Sequence, residues 1–127
     1  MHWTVKGYAV RGGESVIDEW ARSVPPKVLA KFDSRLAFLV SRTIREWDYE
    51  YAHQRKGTGG VFEIKFEMGN IAYRPLFCQG PSAEDLTVLI FAEEHNDKLK
   101  PISADDTAEA RMKEVLENPS KAIEYEY

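Results

Sequence analysis

The dipeptide Gly69-Asn70 constrains this chain more than any other pair of residues. On its N-terminal side Phe62, Ile64, Phe66 and Met68 alternate with Val61, Glu63, Lys65 and Glu67, and on its C-terminal side Ile71, Tyr73, Pro75 and Phe77 repeat the alternation. That is the period of strands with one buried face. Gly-Asn tolerates the positive φ values that a two-residue hairpin turn demands. The turn sets a register in which Met68 faces Ile71, Phe66 faces Tyr73, Ile64 faces Pro75 and Lys65 faces Arg74. Apolar pairs then share one side of the sheet, and the other side brings two cations together. Pro75 cannot donate to a ladder, so it signals a bulge or an edge that would shift Arg74.

The remaining elements follow from local signals. Trp3 to Val10 is rich in strand formers and stops at Arg11-Gly12-Gly13. Ser15 is an N-cap, with acids in the first turn, for a short helix that ends before Pro25. Pro25-Pro26 opens a long helix expected to reach Trp47, with Val28, Leu29, Phe32, Leu36, Leu39, Val40 and Ile44 at helical spacing and Lys27, Lys31, Arg35, Arg42 and Arg45 largely elsewhere. Tyr49 to Gly60 has loop composition and carries His53, Gln54, Arg55 and Lys56. Leu86 to Phe91 is a nearly continuous apolar run that suits a central strand. Ser103 with Asp106 is similar to a capping box opening a last helix that ends near Asn118-Pro119, and Ser120 to Tyr127 reads as a mobile tail. The expected architecture is α+β in two layers: two N-terminal helices packed on a small antiparallel sheet, β-α-α-β-β-β-α, as a single domain over residues 1–119 with a flexible tail at 120–127.

With 127 residues the chain is long enough for one core without covalent staples. Cys78 is the single cysteine, which excludes an internal disulfide and suits a reducing cytoplasm. No apolar run approaches the length needed to span a bilayer, and the N-terminus lacks a signal pattern. A formal net charge of −4 argues against a general affinity for nucleic acid. Residues 1–60 nevertheless carry ten Lys and Arg against seven Asp and Glu, whereas residues 61–127 carry seven against fourteen. Any RNA-facing surface is therefore a local patch on an acidic molecule.

Several short motifs, in order, resemble the RelE/ParE superfamily of type II toxins, and the phage-derived HigB-like branch in particular. Val16 to Trp20 is similar to that branch's Val-x-Glu-Trp helix, and Val24-Pro25-Pro26-Lys27 to its Leu-Pro-Lys helix start. Gly60-Val61-Phe62-Glu63-Ile64-Lys65 and Tyr73-Arg74 are similar to its Gly-Leu-Tyr-Glu-Leu-Arg and Tyr-Arg strands, and Pro101 with Ala108 to Arg111 to its closing proline and Ala-x-x-Arg helix. The resemblance implies a ribosome-dependent messenger RNA endoribonuclease, a cognate antitoxin, no cofactor and no metal. It implies Lys65, Arg74 and His95 as catalytic residues, with Arg55, Lys56, Lys98 and Lys100 as RNA-binding residues. In that reading Arg74 grips the scissile phosphate, Lys65 shares the task or accepts a proton, and His95 carries a proton near neutral pH.

The chain departs from the branch where it counts. The branch's His-Gly-Phe-x-Lys-Lys strand reads here Phe91-Ala92-Glu93-Glu94-His95-Asn96, so His95 and Asn96 stand where two lysines are expected and Glu93-Glu94 add repulsion toward phosphate. A competing assignment follows: a non-catalytic, phage-derived or ParE-like protein-binding module, in which Lys65 and Arg74 form surface ion pairs with the diagonal Glu63 and Glu67. A zinc site is excluded by the spacing of the three histidines and Cys78.

Overall fold

The structure, a computed structural model, describes residues 3–47 and 51–127. The elements run β1 (Thr4–Arg11), β2 (Glu14–Ser15), α1 (Val16–Ala21), α2 (Pro26–Val40), β3 (Ala52–Gln54), β4 (Val61–Ile64), β5 (Phe66–Met68), β6 (Ile71–Gln79), β7 (Asp85–His95), β8 (Lys98–Lys100), α3 (Ala104–Glu117) and β9 (Ala122–Glu124), with 3-10 turns at Ile44–Glu46 and Pro119–Lys121. The strands share one sheet ordered β2-β1-β7-β6-β4-β3, with β5 beside β6, β8 beside β7 and β9 beside β1.

The α+β class holds, but the order is richer than β-α-α-β-β-β-α and the sheet is mixed rather than antiparallel. β1 runs parallel to β7, from Thr4 opposite Asp85 to Gly7 opposite Val88. The layering is also corrected. α1 and α2 cover one face, where Ile17, Phe32, Leu36 and Leu39 pack on Ile64, Phe66, Tyr73 and Phe77. α3 covers part of the other face, where Ala108, Met112 and Val115 lie on Val61, Leu76, Cys78 and Leu89. Three layers result because strand residues of both parities are apolar in this stretch, so each face needs a cover.

Local chemistry explains the boundaries. Ser15 and Asp18 form a reciprocal capping box at the start of α1. α2 stops at Val40, short of the expected Trp47, because its last carbonyls find other donors: Trp47 Nε1 donates to Leu39 O at 2.9 Å, and Ser41 Oγ and Arg42 Nη1 donate to Phe38 O at 2.8 and 3.1 Å. Thr43 and Glu46 then cap a separate 3-10 turn. The expected loop contains β3, and its first residue, Tyr49, lies outside the described residues, as does His2. Residues 122–124, expected in a mobile tail, form β9 against β1, and Tyr125 Oη donates to Asp33 at 2.7 Å.

The hairpin forms as its sequence predicts. Gly69 and Asn70 have φ of 61° and 66°, and Met68 faces Ile71, Phe66 faces Tyr73 and Phe62 faces Phe77. The strand splits at Lys65 for a reason visible in that register. Hydrogen-bonded pairs alternate along an antiparallel ladder, so counting from Met68–Ile71 the pair Ile64–Pro75 needs a donor that proline lacks. Lys65 N–H, which points away from β6, bonds Tyr51 O at 2.9 Å and continues the β3–β4 ladder.

Candidate functional site

Register places Lys65 opposite Arg74, between the pairs Glu63–Leu76 and Phe66–Tyr73. Lys65 is half-buried. Arg74 is only 7% exposed, and its guanidinium is enclosed by acceptors. Its Nε lies 3.2 Å from Glu63 Oε2 and 3.3 Å from Glu94 Oε1, while Nη1 donates to Tyr73 O at 2.8 Å. This side of the sheet is therefore not an open cationic face: carboxylates compensate Arg74, and α3 begins beside it.

Glu63 is the centre of the arrangement. Its side chain is buried, and besides Arg74 it accepts from Arg55 Nη1 at 3.0 Å and lies 3.2 Å from His53 Nε2. Arg55 reaches onward to Asp105, with Nη2 donating to Oδ2 at 2.8 Å and Nε to Oδ1. The bonds from Asp105 are the first cause of a raised Arg55 pKa, so this cation is fixed. Strand geometry produces the cluster. His53 and Arg55 flank one position on β3, His53 faces Glu63 across the β3–β4 ladder, and Glu63 stands diagonally from Arg74 across β4–β6. Asp105 reaches in from the first turn of α3, and Ser103, expected to cap that helix, makes no side-chain capping bond.

The other predicted residues are scattered. His95 ends β7, three positions past the Ala92 that faces Arg74, which is about 10 Å along a strand. It pairs with Glu93, at 3.1 Å, on an exposed hairpin whose turn residues Asn96 and Asp97 have φ of 51° and 64°. Lys98 and Lys100 lie on β8, opposite His95 and Glu93. Lys56 lines a shallow 340 Å³ cavity with His53, Gln54 and Arg55. Arg55 is committed to carboxylates. The structure thus brings Lys65 and Arg74 together and keeps His95, Lys98 and Lys100 on a separate hairpin. Among the described residues no His, Cys, Asp or Glu cluster is arranged to hold a metal ion.

Sequence reading missed two groups. His53, carried on a stretch of loop composition, is tucked against Glu63, and its spacing from Arg55 is a signal only once β3 is recognised as a strand. Lys31 and Arg35, read only as lying off the apolar positions of α2, line a 330 Å³ pocket together with Lys65, Phe66, Glu67 and Arg74. Lys31 Nζ donates to Glu67 O at 2.9 Å, and the Arg35 guanidinium stacks 4.2 Å above the Tyr51 ring. The pocket's lining holds four cations and one carboxylate.

No family model matches the chain, and no curated protein matches it in sequence. Its fold is similar to that of the Escherichia coli toxin RelE, solved in the free state as a double arginine-to-alanine mutant, with a TM-score of 0.56 over 83% of this chain and 94% of that one. Identity across the match is 12%. The likeness defines a RelE-like fold. No described helix is long and apolar enough to cross a membrane.

Proposed function

We propose that this protein is the toxin of a type II toxin–antitoxin pair and acts on messenger RNA at the ribosome. One observation carries the reading: on a RelE-like fold, Lys65 and Arg74 stand opposite each other and line one cation-rich pocket. Cleavage by a neighbouring ribose would form a bond from the 2′ oxygen to phosphorus and break the bond to the 5′ oxygen. The 2′ proton leaves to a base, and the 5′ oxygen takes one up from solvent water. The developing phosphorane charge needs fixed cations. Lys65 supplies one, and Arg74 a second, held rigid by Glu63 and Glu94. Arg74 Nε and Nη1 are already engaged, so its contribution is oriented charge rather than a forked grip. Glu94, half-buried and bonded to Arg74, is the carboxylate nearest that cation from the β7 side and serves as the base. His95, on its distant hairpin, contacts RNA together with Lys98 and Lys100, and no metal or cofactor enters the scheme.

A second reading rests on the same ion pairs. Neutralisation of Arg74 by two carboxylates favours a protein-binding module that has the fold without the chemistry. Growth inhibition on controlled expression separates the two. The nuclease reading expects Lys65→Ala and Arg74→Ala each to relieve inhibition at unchanged soluble level. Inhibition indifferent to Lys65→Ala and Arg74→Ala assigns the effect to another surface.

A further inference from the structure

We propose that helix α2 contributes a phosphate-binding place of its own, in which Lys31 and Arg35 hold a backbone phosphate of single-stranded RNA at the edge of the sheet. The inference rests on the RNA-directed reading above and extends it to residues outside the strand pair. Lys31 and Arg35 lie four positions apart, one above the other on α2. Like charges at that spacing destabilise a helix, and like charges opposite each other across a sheet do the same to strands. Both kinds of unfavourable pair meet in one pocket. Glu63 and Glu94 compensate the strand side at Arg74. On the helix side no described ion pair neutralises Lys31 or Arg35. Lys31 Nζ reaches only a backbone carbonyl, that of Glu67, and Arg35 Nε is buried without a hydrogen-bond partner among the described residues.

Geometry favours an extended polyanion over an isolated ion. The pocket, at 330 Å³, is at the lower end of the size range of ligand sites, roughly 300–1,000 Å³. Its cations come from two elements, α2 and the β4–β6 region, so a chain crossing the edge of β5 can set successive phosphates against the two groups. Arg35 is already stacked on Tyr51, which leaves a guanidinium of fixed orientation, suited to phosphate recognition. Phe66 in the lining is buried at 2% exposure, so stacking of a base is not the source of affinity. Charge is, and binding should depend strongly on salt.

The test uses the purified full chain and a short fluorescent single-stranded RNA, read by anisotropy across a salt series. Arg35→Gln and Lys31→Gln are each expected to weaken binding about five- to tenfold and to reduce the salt slope by about 0.7, the value for one lost phosphate contact on a single strand. Lys113→Gln, on the exposed side of α3, is expected to change neither quantity, and thermal melts check that each variant folds. Unchanged affinity and slope in both α2 variants overturn the proposal. So does tighter binding of poly-glutamate than of RNA at matched salt, which assigns the pocket to an acidic protein segment. RNA binding that needs Arg35, in a protein that leaves growth and transcripts untouched, upholds the pocket and defeats the nuclease reading. Toxicity that persists while RNA binding ignores Arg35 and Lys31 does the reverse.

Discussion

Replacing Glu63 with alanine removes the one carboxylate that His53, Arg55 and Arg74 share, at 3.2, 3.0 and 3.2 Å. Its side chain is 4% exposed and that of Arg74 8%, so water does not replace the lost contacts cheaply. Removing one partner of a buried ion pair costs about 3–5 kcal/mol. The lower end applies, because Arg74 keeps Glu94 and Arg55 keeps Asp105. An unfolding entropy of about 2.1 cal/mol/K per residue gives about 0.27 kcal/mol/K for 127 residues. A loss of about 3 kcal/mol therefore lowers Tm by about 11 °C. Glu63→Gln keeps an acceptor and loses only the charge, with a cost of about 1.5 kcal/mol. Calorimetric melts of Glu63→Ala, Arg74→Ala and the double variant complete a cycle with an expected coupling of about 1–3 kcal/mol. A fall in Tm of less than about 3 °C for Glu63→Ala, or additive single effects, would refute the claim that this carboxylate holds Arg74.

Four other outcomes are expected. Burial, with the Asp85 charge nearby, pushes the Cys78 thiol up to about 12, so an aromatic disulfide reagent at mildly alkaline pH should label it only as fast as the protein unfolds; rapid labelling of native protein contradicts this. Gly7→Ala should cost about 1–3 kcal/mol in urea melts, since its Cβ would stand 2.9 Å from Ser15 Cβ and 3.1 Å from Ile17 Cγ1. An unchanged midpoint would mean that β1 and α1 are not in close contact there. Desolvation raises the Asp33 pKa despite the opposing bond from Tyr125. The ionised form is thus penalised in the fold, and the stabilising share of the proton is present below the unfolded pKa and lost as pH rises through the folded one. The stability of the parent relative to Asp33→Asn should accordingly rise as pH falls through the carboxylate range, and a flat difference is the contrary result. Tyr125→Phe should speed amide exchange at Ile123 and Glu124 in β9 by releasing the strand from α2, whereas unchanged protection would show that the ladder to β1 suffices.

Much of this fold was legible because its signals were local. Gly69-Asn70 dictated turn and register together, whereas Pro75, read as a bulge or an edge, stands in a strand paired on both sides, beside a register shift between Leu76 and Phe77. The length of α2 was not legible, since its end depends on side-chain donors past the helix, the Trp47 indole N–H on Leu39 O above all. β9 escaped for a similar reason: Ala122–Glu124 is too short to show a period, and its pairing with β1 is a tertiary event. At the site, the pairing of Lys65 with Arg74 followed from register alone. The diagonal pairing of Arg74 with Glu63 followed from the same register, but its burial within a larger cluster did not, because β3 is three residues long within a loop-like stretch, and only as a strand does it set His53 and Arg55 against Glu63. The Asn96-Asp97 turn was readable from turn chemistry, and recognising it would have placed His95 away from Arg74.

The central claim is that Lys65 and Arg74 act on messenger RNA during translation, and mapping transcript 5′ ends in cells tests it most directly. Cells expressing the parent chain under tight control are compared with cells expressing the Lys65→Ala/Arg74→Ala double variant, at matched soluble levels. The account predicts new 5′ ends inside translated frames that vanish in the variant. The absence of new ends from cells that accumulate the folded parent, or ends that persist in the variant, would contradict it.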